Sequence, residues 1–129
     1  MWDIKPSAFA NIVEKQAVKR SKNAATDFLT AISEHSPVDT GRFSANNRVS
    51  VGKRGNEFDP NDFSARAGAM ARGTATIKAM SNAKLDDIWI YNDTPYGMYL
   101  EDTMKYRGSP QAPNGVYRVS FLGVGTWYR

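Results

Sequence analysis

The stretch 7–35 repeats apolar residues at the spacing of a helix and stops at a proline. Phe9, Ile12, Val13, Ala17, Ala24, Phe28, Leu29 and Ile32 follow gaps of three and four with one wider interval. That pattern draws one apolar stripe along a long helix. Pro6 suits the first helical turn, with Ser7 as an alternative cap nearby. Ser36-Pro37 ends the helix, because the residue before a proline is pushed out of the α region. The wide interval carries Lys19, Arg20 and Lys22, which reads as a basic spot on a solvated face. A chain of this kind must build the rest of its fold as something that covers one side of that helix.

The remaining segments are shorter. Asp39-Thr40-Gly41 reads as a turn, with glycine free to take positive φ and aspartate able to bond nearby backbone. Residues 43–52 read as a strand whose first half, Ser44 to Asn47, is weak. Residues 53–62 are polar and turn-rich, a loop in which Asn61 or Asp62 would cap a second helix over 63–80. Gly68 and Gly73 weaken that helix but allow close packing, and a strand over Thr74-Ala75-Thr76-Ile77 stays open. Leu85 to Asn92 is the clearest strand, and its run Ile88-Trp89-Ile90-Tyr91 predicts cover on both faces. Tyr96 to Glu101 fits one or two helical turns, and 102–114 a loop. Residues 115–122 alternate as Tyr117, Val119 and Phe121 against Arg118 and Ser120, which favours a strand; a helix starting at Pro113 stays open. The expected fold is α+β, a long N-terminal helix and a second helix packed on a small, mainly antiparallel sheet. One domain is expected over 6–122, with 123–129 as a C-terminal docking end. Phe9, Phe28, Trp89 and Phe121 are assigned to the core; Tyr106, Trp127 and Tyr128 are the expected exposed aromatics.

Composition removes several functions. The chain of 129 residues has no cysteine and one histidine. That excludes a disulfide framework, thiolate zinc and a cysteine nucleophile, and it leaves little room for a Ser-His hydrolase. Asp86-Asp87 has no third acid or histidine at a useful metal spacing, His35 suits the dipole of a helix C-terminus, and Gly52-Lys53-Arg54-Gly55 lacks the P-loop spacing. No enzyme, cofactor or metal is therefore expected. The net charge of +4 arises wholly within 103–129, from Lys105, Arg107, Arg118 and Arg129 with no acid. Such an end can meet nucleic acid or an acidic partner. The start of the sequence carries no signal-peptide pattern, and no apolar run is long enough to span a membrane. A soluble protein made in a cytoplasm is expected.

Three turn-rich segments are more specific. They are Ser36-Pro37-Val38-Asp39-Thr40-Gly41-Arg42-Phe43, then Ile90-Tyr91-Asn92-Asp93-Thr94-Pro95-Tyr96-Gly97-Met98-Tyr99-Leu100-Glu101, then Gln111-Ala112-Pro113-Asn114-Gly115-Val116. In that order, after an amphipathic helix, the chain resembles the tail-completion and neck proteins of tailed bacteriophages. That family includes the HK97 head-tail joining protein and the lambda minor tail protein Z. Its pattern runs S-P-V-D-T-G-x-L, then I-x-N-x-x-P-Y-A-x-x-L-E-x-G, then Q-A-P-x-G. The resemblance covers most of 7–122. Phe43 stands in place of leucine, and Asp102 to Arg107 lengthen the segment before Gly108.

The resemblance implies a structural virion protein, made in the host bacterial cytoplasm. It would form a homo-oligomeric ring, a hexamer by expectation, in the neck at the head-proximal end of the tail. Its partners would be itself, the connector or adaptor proteins below the portal, the tail terminator or tail tube, and DNA in the channel. Turn and interface residues would be Asp39, Thr40, Gly41, Arg42, Pro95, Tyr96, Tyr99, Glu101, Tyr106 and Arg107, with Glu101 facing an arginine of a neighbouring copy. Contacts are expected on the first helix and on loops 53–62 and 102–114. Lys105, Arg118 and Arg129 would meet DNA or an acidic surface. The competing reading is a small basic protein that coats nucleic acid without sequence preference.

Overall fold

The computed structural model describes residues 5–37, 40–101 and 109–128. Helix α1 runs Pro6–His35, with Pro6 at its start and a C-cap at Ser36, whose N–H donates to the Ser33 carbonyl. At a rise of 1.5 Å per residue it is about 45 Å long. Val18, Ala25, Leu29 and Ile32 form its buried stripe, so burial begins only at Val18. There follow a four-residue helix α2 (Arg42–Ala45), strand β1 (Arg48–Val51), helix α3 (Ala65–Ala79), strand β2 (Ile88–Tyr91), a short α4 (Gly97–Glu101) and α5 (Tyr117–Gly125). A 3₁₀ turn over Thr126–Tyr128 completes the described chain.

Strands β1 and β2 pair antiparallel, with Arg48 opposite Tyr91 and Val51 opposite Ile88. The α+β expectation holds: α1 and α3 pack on a small antiparallel sheet. Two apolar clusters stabilise the arrangement. Ala25, Leu29 and Ile77 join α1 to α3, with Val49, Ile88 and Ile90 of the sheet against them. Gly73 makes this approach possible: a Cβ there would overlap a Leu29 methyl and lie 3.0 Å from Val49 Cγ2. The second cluster, Ile32, Phe43, Leu100, Ala112 and Val116, gathers the turn-rich segments.

Four expectations are corrected. Residues 43–52 are not one strand, because the left-handed Gly41 (φ 79°) opens into α2 and strand geometry begins at Arg48. Residues 115–122 enter a helix instead of a strand, with α5 starting at Tyr117. Helix α3 starts at Ala65, because the Asp62 carboxylate bonds the Ser64 N–H and hydroxyl in a turn and caps no helix. Strand β2 is not covered along both faces: Ile88 and Ile90 pack on the α1–α3 cluster, while Trp89 on the opposite face is exposed, as are Phe9 and Phe121, all three assigned to the core from sequence. Phe28 does hold Phe121, at 4.5 Å between ring centroids, but the outer side of that ring stays open.

The end of the chain lies along α1. His35 Nδ1 is 3.1 Å from the Ser120 hydroxyl, the Tyr128 hydroxyl donates to Asp27, and Arg20 Nη2 donates to the Tyr128 carbonyl at 3.0 Å. The Arg20 guanidinium also sits 5.3 Å from the centre of the Tyr128 ring.

Candidate interaction surface

The three segments singled out in the sequence meet in space. Phe43 comes from the first, Leu100 from the second, and Ala112 and Val116 from the third, and Ile32 of α1 packs among them. Tyr96 packs against this cluster, 6.2 Å from the Phe43 ring, and the Arg42 guanidinium lies 5.4 Å over its face. Thr40 Oγ1 accepts the Arg42 N–H at 3.3 Å at the start of α2. Gly41 is held by close approach as well as by its φ, since a Cβ would stand 2.8 Å from the Phe63 carbonyl. Pro95 occupies the exposed turn between β2 and α4. Tyr99 lies within α4. Asp39, Lys105, Tyr106, Arg107 and Arg129 fall outside the described residues.

Glu101 has an internal role. Its Oε2 accepts the N–H groups of Val116 and Tyr117 at 2.9 Å each, and its Oε1 accepts that of Arg118 at 2.7 Å. A carboxylate at a helix N-terminus satisfies orphan donors and complements the dipole. Within its own chain Glu101 therefore acts as the cap of α5. Gly115 permits it: its φ is +80°, and a Cβ would lie 3.0 Å from the Glu101 carbonyl and 3.4 Å from its carboxylate.

Beneath this core runs a polar network that sequence reasoning missed. Asn47 is fully buried; its Nδ2 donates to Ser36 Oγ at 2.8 Å and to the Ser44 carbonyl at 3.3 Å. Its Oδ1 accepts from Asn92 Nδ2 at 3.0 Å and from the Tyr117 hydroxyl at 2.9 Å. Asn92 also donates to the Phe43 carbonyl, and its Oδ1 accepts from the Thr94 N–H and hydroxyl. Burial, and then the Glu101 charge, push the Tyr117 phenol far above its ordinary value, so it stays a neutral donor. Asn46 holds the 53–62 loop by exchanging bonds with Asp59, giving one at 3.0 Å and taking one at 2.9 Å. The signal in sequence was the pair Asn46-Asn47 shortly after the first turn motif, with Asn92 inside the second.

Two adjoining hollows lie between β2 and α5, of about 640 and 350 Å³, and they share Ile88, Ile90 and Phe121. Arg54 and Asp93 flank the larger in a two-bond ion pair at 2.8 and 3.2 Å, and the Arg54 guanidinium stands 4.8 Å over Tyr91. The Arg54 hydrogen bond holds the Asp93 carboxyl below the usual carboxylate range. The smaller hollow is bordered by Asp86 and Asp87. Arg118 is exposed, with its side chain in no ion pair among the described residues. No group of three or more metal-ligating side chains occurs among the described residues, and none of their helices is long and apolar enough to cross a membrane. The arrangement offers surfaces for binding: turns braced from within and apolar side chains left outside. No family model, curated protein or solved structure matches the chain.

Proposed function

We propose that the chain is a structural subunit of a bacteriophage neck. It forms a homo-oligomeric ring at the head-proximal end of the tail and joins the tail to the DNA-filled head. The observation that carries this reading is the convergence of the three phage-like segments on one core, where Phe43, Leu100 and Val116 touch the same cluster. Segments scattered along a chain by chance have no reason to share one core. A second property agrees with it. Phe9, Ile12, Trp89, Leu122 and Trp127 are large apolar side chains left exposed, as expected of a subunit completed by its neighbours. Its work is adhesion, in which many repeated weak contacts around a ring add to an effectively permanent joint.

The neck assignment predicts a specific defect. When the reading frame is interrupted by a stop codon in the parent phage, electron microscopy of the lysate should show filled heads and complete tails lying apart. Intact infectious particles would refute it. The nucleic-acid alternative is separated by salt: phosphate binding falls steeply and log-linearly as salt rises, whereas a neck subunit binds DNA weakly at physiological salt.

A further inference from the structure

The first two turns of α1 extend past the body of the protein, up to Glu14, whose Oε1 accepts the Leu85 N–H at 3.2 Å. Every residue from Pro6 to Val13 is exposed, and the first buried residue is Val18. Yet this arm is not polar. Phe9, Ile12 and Val13 are 59%, 47% and 47% exposed and sit at the i, i+3, i+4 spacing of a helix that docks by one face. At 100° per residue, Phe9 lies about 180° around the helix from Val18. The arm's apolar stripe therefore faces away from the protein's own core.

The same chain carries a matching receptor in the hollows between β2 and α5. Their shared walls are Ile88, Ile90 and Phe121, and Phe28 forms part of the smaller one. A molecule cannot fill its own groove with its own arm. The arm and the Ala24–Phe28 wall belong to one continuous helix, with Phe9 about 22 Å along the axis from Ala24. The charges also match. Lys5, Lys15 and Lys19 stand on the arm and its base, with Glu14 as the one acid there, and none of the three lysines forms an ion pair among the described residues. Asp86 and Asp87 on the groove's lip are likewise exposed and in no ion pair among the described residues.

We infer that the arm of one copy seats in the β2–α5 groove of the next, with Phe9, Ile12 and Val13 as anchors and the arm's lysines against Asp86 and Asp87. The inference rests on the self-association part of the neck reading and names the contact. Arm and groove are different surfaces, so the contact is head-to-tail and closes into a ring if the rotation per copy allows.

Two charge-reversed forms of the full chain test it. In the first, Lys5→Glu, Lys15→Glu and Lys19→Glu make the arm acidic; in the second, Asp86→Lys and Asp87→Lys make the lip basic. Sedimentation should show the wild type self-associating, each reversed form at least ~tenfold weaker alone, and the two mixed forms associating again. Phe9→Asp should lose at least ~tenfold without rescue by either, the scale of a buried aromatic anchor. All of these positions are exposed, and unchanged circular dichroism checks that each form folds. A wild type that stays monomeric at every concentration, or reversed forms that do not recover on mixing, would overturn the contact. These outcomes are read on purified protein. Separate heads and tails in the lysate would still support the neck role if they occurred, and intact particles would remove that role while leaving recovery on mixing untouched.

Discussion

Glu101→Ala should destabilise the protein by about 3 kcal/mol. The carboxylate takes three backbone N–H groups, from Val116, Tyr117 and Arg118, at 2.7–2.9 Å. They are not equivalent. Val116 is fully buried, so its N–H loses its partner where water cannot replace it, at a cost of about 1–3 kcal/mol. Tyr117 and Arg118 stand nearer solvent, and their N–H groups recover water at a net loss of roughly 0.5 kcal/mol each. The favourable charge at the start of α5 adds about 0.5 kcal/mol. The sum is a large part of the ~5–15 kcal/mol that holds a domain folded. Urea unfolding followed by circular dichroism at neutral pH should show a lower midpoint with an unchanged slope, and the melting temperature should fall by about 10 °C. Glu101→Gln should fall between the two, since one amide oxygen still accepts while its NH₂ meets a donor. A Glu101→Ala midpoint within about 0.5 kcal/mol of wild type would refute the cap as a source of stability.

Three further outcomes follow from the same geometry. Gly115→Ala should lose about 2 kcal/mol in the same urea assay, because a side chain at φ +80° costs ~1–2 kcal/mol and its Cβ crowds the Glu101 carbonyl at 3.0 Å. Gly73→Val should lose more than about 2 kcal/mol although any residue other than proline improves the helix, because Leu29 and Val49 already fill the space; a gain in thermal stability would disprove the close α1–α3 contact. The raised Tyr117 phenol predicts an alkaline limb: its contribution is full below pH ~10, where an unfolded tyrosine ionises, and is lost as pH rises beyond it. Phenolate absorbance from that ring should appear only with unfolding, and Tyr117→Phe should flatten the limb while losing the bond to Asn47.

The long helix was legible because its pattern is local: Leu29 and Ile32 repeat at helical spacing, and Pro37 ends it. The clearest strand was legible for the same reason, in Ile88 to Tyr91. What failed depended on distant partners. Tyr117, Val119 and Phe121 alternate as a strand would, but three N–H groups at 116–118 are claimed by Glu101, which lies fifteen to seventeen residues earlier and starts a helix there. Trp89 reads as a core residue until its neighbours Ile88 and Ile90 are seen to face α1 and α3, which leaves Trp89 on the other face of β2. Phe9 fits the helical repeat but is left 59% exposed, and composition alone cannot tell such a residue from a buried one. Of the site, the turns at Gly41 and Pro95 could be read directly. The Asn47–Asn92–Tyr117 network could not, since asparagines in turn-rich segments ordinarily signal turns.

The proposed neck subunit would join two preassembled structures. The most direct measurement is joining in vitro: filled heads and finished tails from a lysate lacking the protein, mixed with the purified chain and scored for joined particles. Joining should rise with added protein, saturate at a fixed number of copies per particle, and restore infectivity. Heads and tails that stay apart at every protein concentration would contradict the neck role.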